Sequence, residues 1–393
     1  MKFNKWTLGL AAVGLVSLTY AAMAEDTSST VLTALSSTTL SGYVDTSAQW
    51  NLGTGNANNP PYSFGGGDKA DGFNLNIVQL SLDKPLDESE WSAGYHVDLW
   101  MGPDANALGS QSTGFGSDFG IRQAYIALRT PIGNGIDWKL GVFDTIIGYE
   151  SLTSANDPNY TRSYGFTIEP TTHTGIVGTY KLSDLASVTA GIANTIGPVI
   201  NNRAFSGRGV PIDRSPTDGR QAESYKTYMA SAALTAPSSW GWIGGSTLTA
   251  GIINGFNSAA STSSSGVGAN QLNFYAGATM NTPINALKVG AAYDLRDVHN
   301  AAGDAWDIAG YVSYQLTEKL SLNGRGEYFD LVNSAHVFEA TATAQYDLWK
   351  NVITRVEFRW DHGSNGQFFG GTTPLDPNRR NAYMLAAQAI YKF

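Results

Sequence analysis

Val352-Ile353-Thr354-Arg355-Val356-Glu357-Phe358-Arg359-Trp360-Asp361 alternates strictly. Even positions carry Val, Thr, Val, Phe and Trp, and odd positions carry Ile, Arg, Glu, Arg and Asp. Successive side chains of a strand leave opposite faces, so this segment has one oily face and one almost wholly charged face. Two neighbouring segments repeat the pattern: Phe338-Ala340-Ala342-Ala344-Tyr346-Leu348 against Glu339, Thr341, Thr343 and Gln345, and Leu320-Leu322-Gly324-Gly326-Tyr328 against Asn323, Arg325 and Glu327. A soluble barrel turns its apolar face inward. Its partner face would then be in water, but a packed core on the charged side would desolvate ions at several kcal/mol each. With lipid outside and a water-filled lumen inside, that cost disappears.

Working outward, alternating segments recur from residue 38 to Phe393 and number sixteen, among them 72–83, 89–100, 135–147, 165–182, 319–329 and 351–361. In the second, Phe73-Leu75-Ile77 gives way to Val78-Leu80-Leu82, a slip of phase. The connections alternate in length. Segments 51–71, 101–117, 148–164, 197–221, 258–269 and 362–379 are long and rich in Gly, Asn, Ser and Pro, whereas Pro131–Asn134, Ser183–Leu185 and Glu318 are tight turns. The expected fold is all-β, a transmembrane up-and-down antiparallel barrel of about sixteen strands with both termini periplasmic.

Composition agrees. The chain has 393 residues, no cysteine, 44 glycines and only 15% charged residues, against ~25% in soluble domains. Lipid on half of each strand makes surface charge unnecessary there. Lys2 and Lys5, the apolar run Trp6 to Leu18 and Ala22-Met23-Ala24 read as a signal peptide, residues 1–24, cleaved after Ala24. Residues 25–37 follow as a periplasmic lead, and 38–393 form the barrel. Without Lys2 and Lys5 the chain carries 22 Lys+Arg against 33 Asp+Glu, a net charge of −11, which argues against nucleic acid as a partner. Interfacial aromatics are expected at both barrel ends. On the apolar parity, Trp91, Trp138, Tyr180, Tyr314, Tyr346 and Tyr391 fall at the short-turn ends, and Trp50, Tyr293, Trp306, Tyr328 and Trp360 at the long-loop ends.

The stretches Ser41-Gly42-Tyr43-Val44-Asp45, Phe119 to Leu140, Gly148-Tyr149-Glu150, Asn159-Tyr160-Thr161-Arg162-Ser163 and Thr172-His173-Thr174-Gly175 resemble the putative beta-barrel porin family of type 2, the OmpL-like porins. The likeness implies an outer-membrane pore and no particular solute. The final alternating strand ending on Phe393 resembles the signal read by the outer-membrane assembly machinery. The strand count is also similar to that of general diffusion porins, which implies a homotrimer and a third long loop folded into the lumen. On that likeness loop 148–164 is the constriction loop, with Glu150 and Asp157 as its acidic members.

Lumen parity assigns Asp45, His96, Asp98, Lys139, Asp294, Arg296, Asp307, Arg325, Glu327, Arg355, Glu357, Arg359 and Asp361 to the pore lining. Arg325, Arg355 and Arg359 are expected to form a basic wall facing the acids of loop 148–164 across a transverse field, or else a solvated face of paired charges. Inward aromatics Tyr43, Trp100, Tyr125, Tyr275 and Tyr311 offer either a stacking track for sugars or ordinary filling. His96, His173, His299, His336 and His362 lack metal-ligand spacing, His173 reading as a structural hydrogen bonder. There is no Gly-x-Ser-x-Gly elbow, and Gly207-Arg208-Gly209 is loop punctuation. No cofactor, metal or catalytic residue is expected. The expectation is a porin passing small hydrophilic solutes and ions by diffusion, mildly cation-preferring. The alternatives are a sugar- or anion-specific channel, an outer-membrane barrel enzyme, and a structural or adhesive barrel.

Overall fold

A computed structural model describes residues 38–62, 64, 69–111, 117–204, 225–256, 270–298 and 303–393. The signal peptide, the lead 25–37, Gly207-Arg208-Gly209 and His299 lie outside the described residues. The first eight strands are β1 (Thr39–Asn51), β2 (Gly72–Lys84), β3 (Ser92–Met101), β4 (Phe119–Thr130), β5 (Ile136–Asp144), β6 (Thr172–Lys181), β7 (Ala186–Ala193) and β8 (Thr227–Thr235). The rest are β9 (Thr247–Phe256), β10 (Asn270–Asn281), β11 (Leu287–Val298), β12 (Ala305–Gln315), β13 (Leu320–Leu331), β14 (Ala335–Trp349), β15 (Val352–Gly363) and β16 (Asn381–Lys392). Each pairs antiparallel with its sequence neighbours, and β1 pairs with β16 to close the barrel. Closure leaves no edge strand, so each strand is hydrogen-bonded on both sides where lipid offers no partner. The seam ends on Phe393, which exchanges two 3.0 Å backbone hydrogen bonds with Gly42.

The alternation decides which way each side chain points. On β15 the odd residues Arg355, Glu357, Arg359 and Asp361 are buried inside, while Val356 is 56% exposed and Phe358 also faces out. The outward aromatics include Trp91, Tyr314, Tyr346 and Tyr391 at one end and Trp50 at the other. Lys350–Asn351 is a two-residue hairpin turn between β14 and β15, and Asn351 takes φ +66° there. That left-handed conformation suits asparagine and the strand twist of tight hairpins.

The phase slip in the second strand is a β-bulge. Asp45 pairs with Ile77 and Thr46 with Leu75, so Asn76 is the extra residue, and both Asn76 and Ile77 are buried. An inserted residue turns two consecutive side chains to one face. A second bulge lies on β4, where Asp98 pairs with Gln123 and Leu99 with Ile121, so that Arg122 and Gln123 both point inward.

One expected boundary is overturned. The sixth strand begins at Thr172, not at 165, because Tyr164–Ile168 is a short helix with Ser163 Oγ accepting from the Phe166 N–H at its start. The third long connection therefore runs over 145–171. The connection 332–334 between β13 and β14 breaks the rule of long loops by being a tight turn.

Candidate pore and the loop that crosses it

The connection between β5 and β6, here loop 3, enters the barrel. Strands β13 and β14 stand eight places from β5 and β6 in a ring of sixteen, so they are diametrically opposite. Loop 3 reaches them. Arg325 on β13 donates to Glu150 Oε1 at 2.8 Å and to the Thr161 carbonyl at 2.9 Å. Asn159 donates to Thr343 on β14 at 2.7 Å. On β15, the Glu357 carboxylate accepts from the backbone N–H groups of Tyr160 (2.5 Å) and Thr161 (2.9 Å) and from the Thr161 hydroxyl (2.7 Å). Arg355 donates to the carbonyls of Ser154 and Asp157, and Arg359 to that of Arg162. Tyr164 donates from its N–H to Glu327 and from its hydroxyl to Asp361.

These contacts correct two expectations. The inward charges of β13 to β15 are not bathed by lumen water: Arg325, Glu327, Arg355, Glu357, Arg359 and Asp361 are all buried beneath loop 3. Nor does the basic wall face the loop acids across a gap, since Arg325 and Glu150 form a direct ion pair. The physical reason is that the crossing loop brings its own donors and acceptors, so the wall charges are compensated by protein rather than by water. Asp157 is paired with Arg162 at 2.8 Å, yet burial pushes its carboxyl up to about 6.

Two other loops join it. Tyr62 of loop 1 (52–71) and Tyr164 of loop 3 sandwich the Arg359 guanidinium at 5.0 and 5.2 Å, within cation–π range. Phe64 stands edge-on to Trp100 and Phe166. Lys69 pairs with Asp104 on the short helix Pro103–Leu108 of loop 2 (102–118); burial raises the Asp104 carboxyl to about 7 against the attraction of that lysine. The inward aromatics are mostly packing material. Tyr43, Trp100 and Tyr275 are buried, and Tyr311 stacks on Tyr149 of loop 3 with centroids 4.0 Å apart.

The remaining sequence-assigned residues fall into separate groups. Asp45 accepts from Asn76 and Gln388. His96 lies between Asp83 (2.9 Å) and Asp98 (3.0 Å) and stacks on Tyr125, over which Lys139 is placed at 4.8 Å. Arg296 donates to the Gly303 carbonyl. Asp294 and Asp307 are paired neighbours on β11 and β12. His173 is buried, with Nε2 3.3 Å from the Thr145 hydroxyl. Five participants were not singled out from sequence: Arg122, which bonds Asp144 and Thr153, together with Arg162, Glu339, Glu169 and the pair's Asp104. The bulge hid Arg122. Glu339 was legible, since it shares the polar parity of its strand, and Arg162 lies in the Asn159–Ser163 motif.

The model of the family described as Putative beta-barrel porin-2, OmpL-like, matches residues 37–393. The chain belongs to that family. This porin is also similar in fold to OmpF of Salmonella typhi, solved in complex with daunomycin (13% identity, 91% of this chain and 97% of that one, TM-score 0.59). An anion-selective porin from Comamonas acidovorans (11% identity, 91% and 99%, TM-score 0.58) and the trimer form of OmpT from Vibrio cholerae (14% identity, 91% and 99%, TM-score 0.55) share the fold as well. No curated protein matches the chain significantly. The family is one of outer-membrane porins, and the shared fold is the closed porin barrel.

Gly165 tests how tightly loop 3 of the porin is seated. A Cβ there would lie 2.7 Å from Asp294 Oδ2 and 3.0 Å from Asp307 Oδ2. Gly165→Val is expected to displace the Tyr164–Ile168 helix from the wall, read as an increased single-channel conductance. An unchanged conductance would mean that the helix does not bound the passage.

Proposed function

We propose that this porin passes small hydrophilic solutes and ions by passive diffusion, that loop 3 is its constriction, with Glu150 and Asp157 among its residues, and that it mildly prefers cations. The observation that carries the reading is the crossing of the full barrel diameter by loop 3, with fixed contacts at β13, β14 and β15. A strand-bounded cylinder narrowed by one tethered segment selects by size, and fixed charge near the narrowing selects by sign. Cation preference is supported by the acid excess of the chain, a net charge of −9. The proposal also includes a homotrimer in the outer membrane and recognition of the strand ending in Phe393 by the outer-membrane assembly machinery.

The test is single-channel recording in a planar bilayer under a KCl gradient. Discrete conductance steps with a reversal potential toward the potassium equilibrium value are expected. No steps at all would refute the pore, and a reversal toward the chloride value would refute the charge preference. Saturable block by one sugar or anion would favour a substrate-specific channel.

A further inference from the structure

We infer that the return limb of loop 3, residues 165–170, is a proton-held latch: it lies on β11 and β12 while Glu169, Asp294 and Asp307 share protons, and it lifts when all three ionise. This rests on the porin reading. Asp294 and Asp307 stand directly opposite one another on adjacent strands, an arrangement that disfavours two like charges. Both are buried, and the limb closes over them at Gly165, whose missing side chain leaves room for their oxygens. Among the described residues, neither oxygen of Asp307 has a hydrogen-bond partner, nor does Asp294 Oδ1 or Glu327 Oε1. An ionised carboxylate without donors is not stable in such a place.

The neighbouring charges offer no relief. Glu150 comes from loop 3, Glu327 from β13 and Glu339 from β14, with the hydroxyls of Tyr149, Tyr275 and Tyr311 nearby. Arg325 is the cation at hand, and it is already engaged by Glu150 at 2.8 Å, Glu339 at 3.2 Å and Glu327 at 3.7 Å. Among the described residues no group of three His, Cys, Asp or Glu is arranged to hold a metal ion. Protons are the remaining neutraliser. Accordingly, burial first, and then the carboxylates of Asp294, Glu150 and Asp307, hold the Glu169 carboxyl well above the ordinary range.

The sign follows from linkage. The docked limb binds the Glu169 proton more tightly than a lifted limb, in which Glu169 returns to an ordinary carboxylate. Docking is therefore favoured at low pH and is lost as pH rises through the docked-state value. The limb has fixed points at each end, Tyr164 on Glu327 and the Thr171 carbonyl on the Thr145 N–H, so it can loosen between them.

The experiment is single-channel conductance of the full chain from pH 5 to 9, in KCl with EDTA, for wild type, Glu169→Gln and Asp307→Asn. Folding of each is checked by heat-modifiable migration. Wild-type conductance should rise about twofold with pH as the constriction widens. Glu169→Gln, a neutral isostere, should stay at the low-pH value, and Asp307→Asn should flatten the profile independently. A flat wild-type profile, or an equally steep rise in both variants, overturns the latch alone. A change that follows added Ca²⁺ at fixed pH overturns it in favour of a metal site. Absence of conductance at every pH removes the porin reading as well.

Discussion

Arg325→Met is expected to release loop 3 from the far wall and to give the largest loss of stability of any single lumen substitution. The guanidinium is wholly buried and touches Glu150, Glu327 and Glu339 while donating to the Thr161 carbonyl. Removing one partner of a buried ion pair costs about 3–5 kcal/mol, because the other charge stays behind uncompensated. Here Glu150 is left without Arg325, while Glu327 and Glu339 keep only Arg359, at 3.9 and 3.7 Å. Methionine fills similar volume, so the effect is one of charge rather than of a cavity. Thermal unfolding should move down by many degrees, and single-channel conductance should increase as the loop loses its anchor. Adding Glu339→Gln should recover part of the stability, since it removes one of the carboxylates left to share Arg359. Wild-type unfolding temperature and conductance in Arg325→Met would show that the loop is held by other contacts.

Val356→Arg probes the opposite face. Val356 lies near the middle of β15, outward, between Ala344 and Ala387 on the adjacent strands. An arginine at the bilayer midplane of a barrel costs roughly 2–4 kcal/mol, and one at the interface about 0–1 kcal/mol. Val356→Arg should therefore greatly reduce the folded fraction in lipid vesicles, while Trp360→Arg, at the level of the long-loop aromatics, should cost little in comparison. The two variants change the same face of one strand at different depths. Equal tolerance of both would contradict a lipid-facing surface.

The strand plan was legible because alternation is a local property. Each strand needs only its own two faces to declare a direction, and β13 to β15 do so residue by residue, down to Glu339 on the polar face. Even the irregularity of β2 was visible as a slip between Ile77 and Val78. On β4 the slip was masked, because Gly120, Ile121, Arg122 and Gln123 present no clean oily parity, and Arg122 stayed hidden with it.

The fate of the inward charges was a different matter. Alternation places Arg355, Glu357 and Arg359 inside but is silent on whether water or protein meets them there. Loop 3 has no period to read, and its helix at Tyr164–Ile168 looks like strand in sequence because Phe166 and Ile168 alternate with Gly165 and Thr167.

By itself, then, the sequence determined a sixteen-strand barrel, its oily outside and its charged inside, since period-two patterning over sixteen segments with alternately long and short connections admits little else. Only the tertiary structure decided that loop 3 crosses to the opposite wall, that Arg325 meets Glu150 directly, and that Asp294 and Asp307 lie side by side under Gly165. Those contacts join residues more than a hundred positions apart. Their energies depend on burial and on distances that no local pattern encodes.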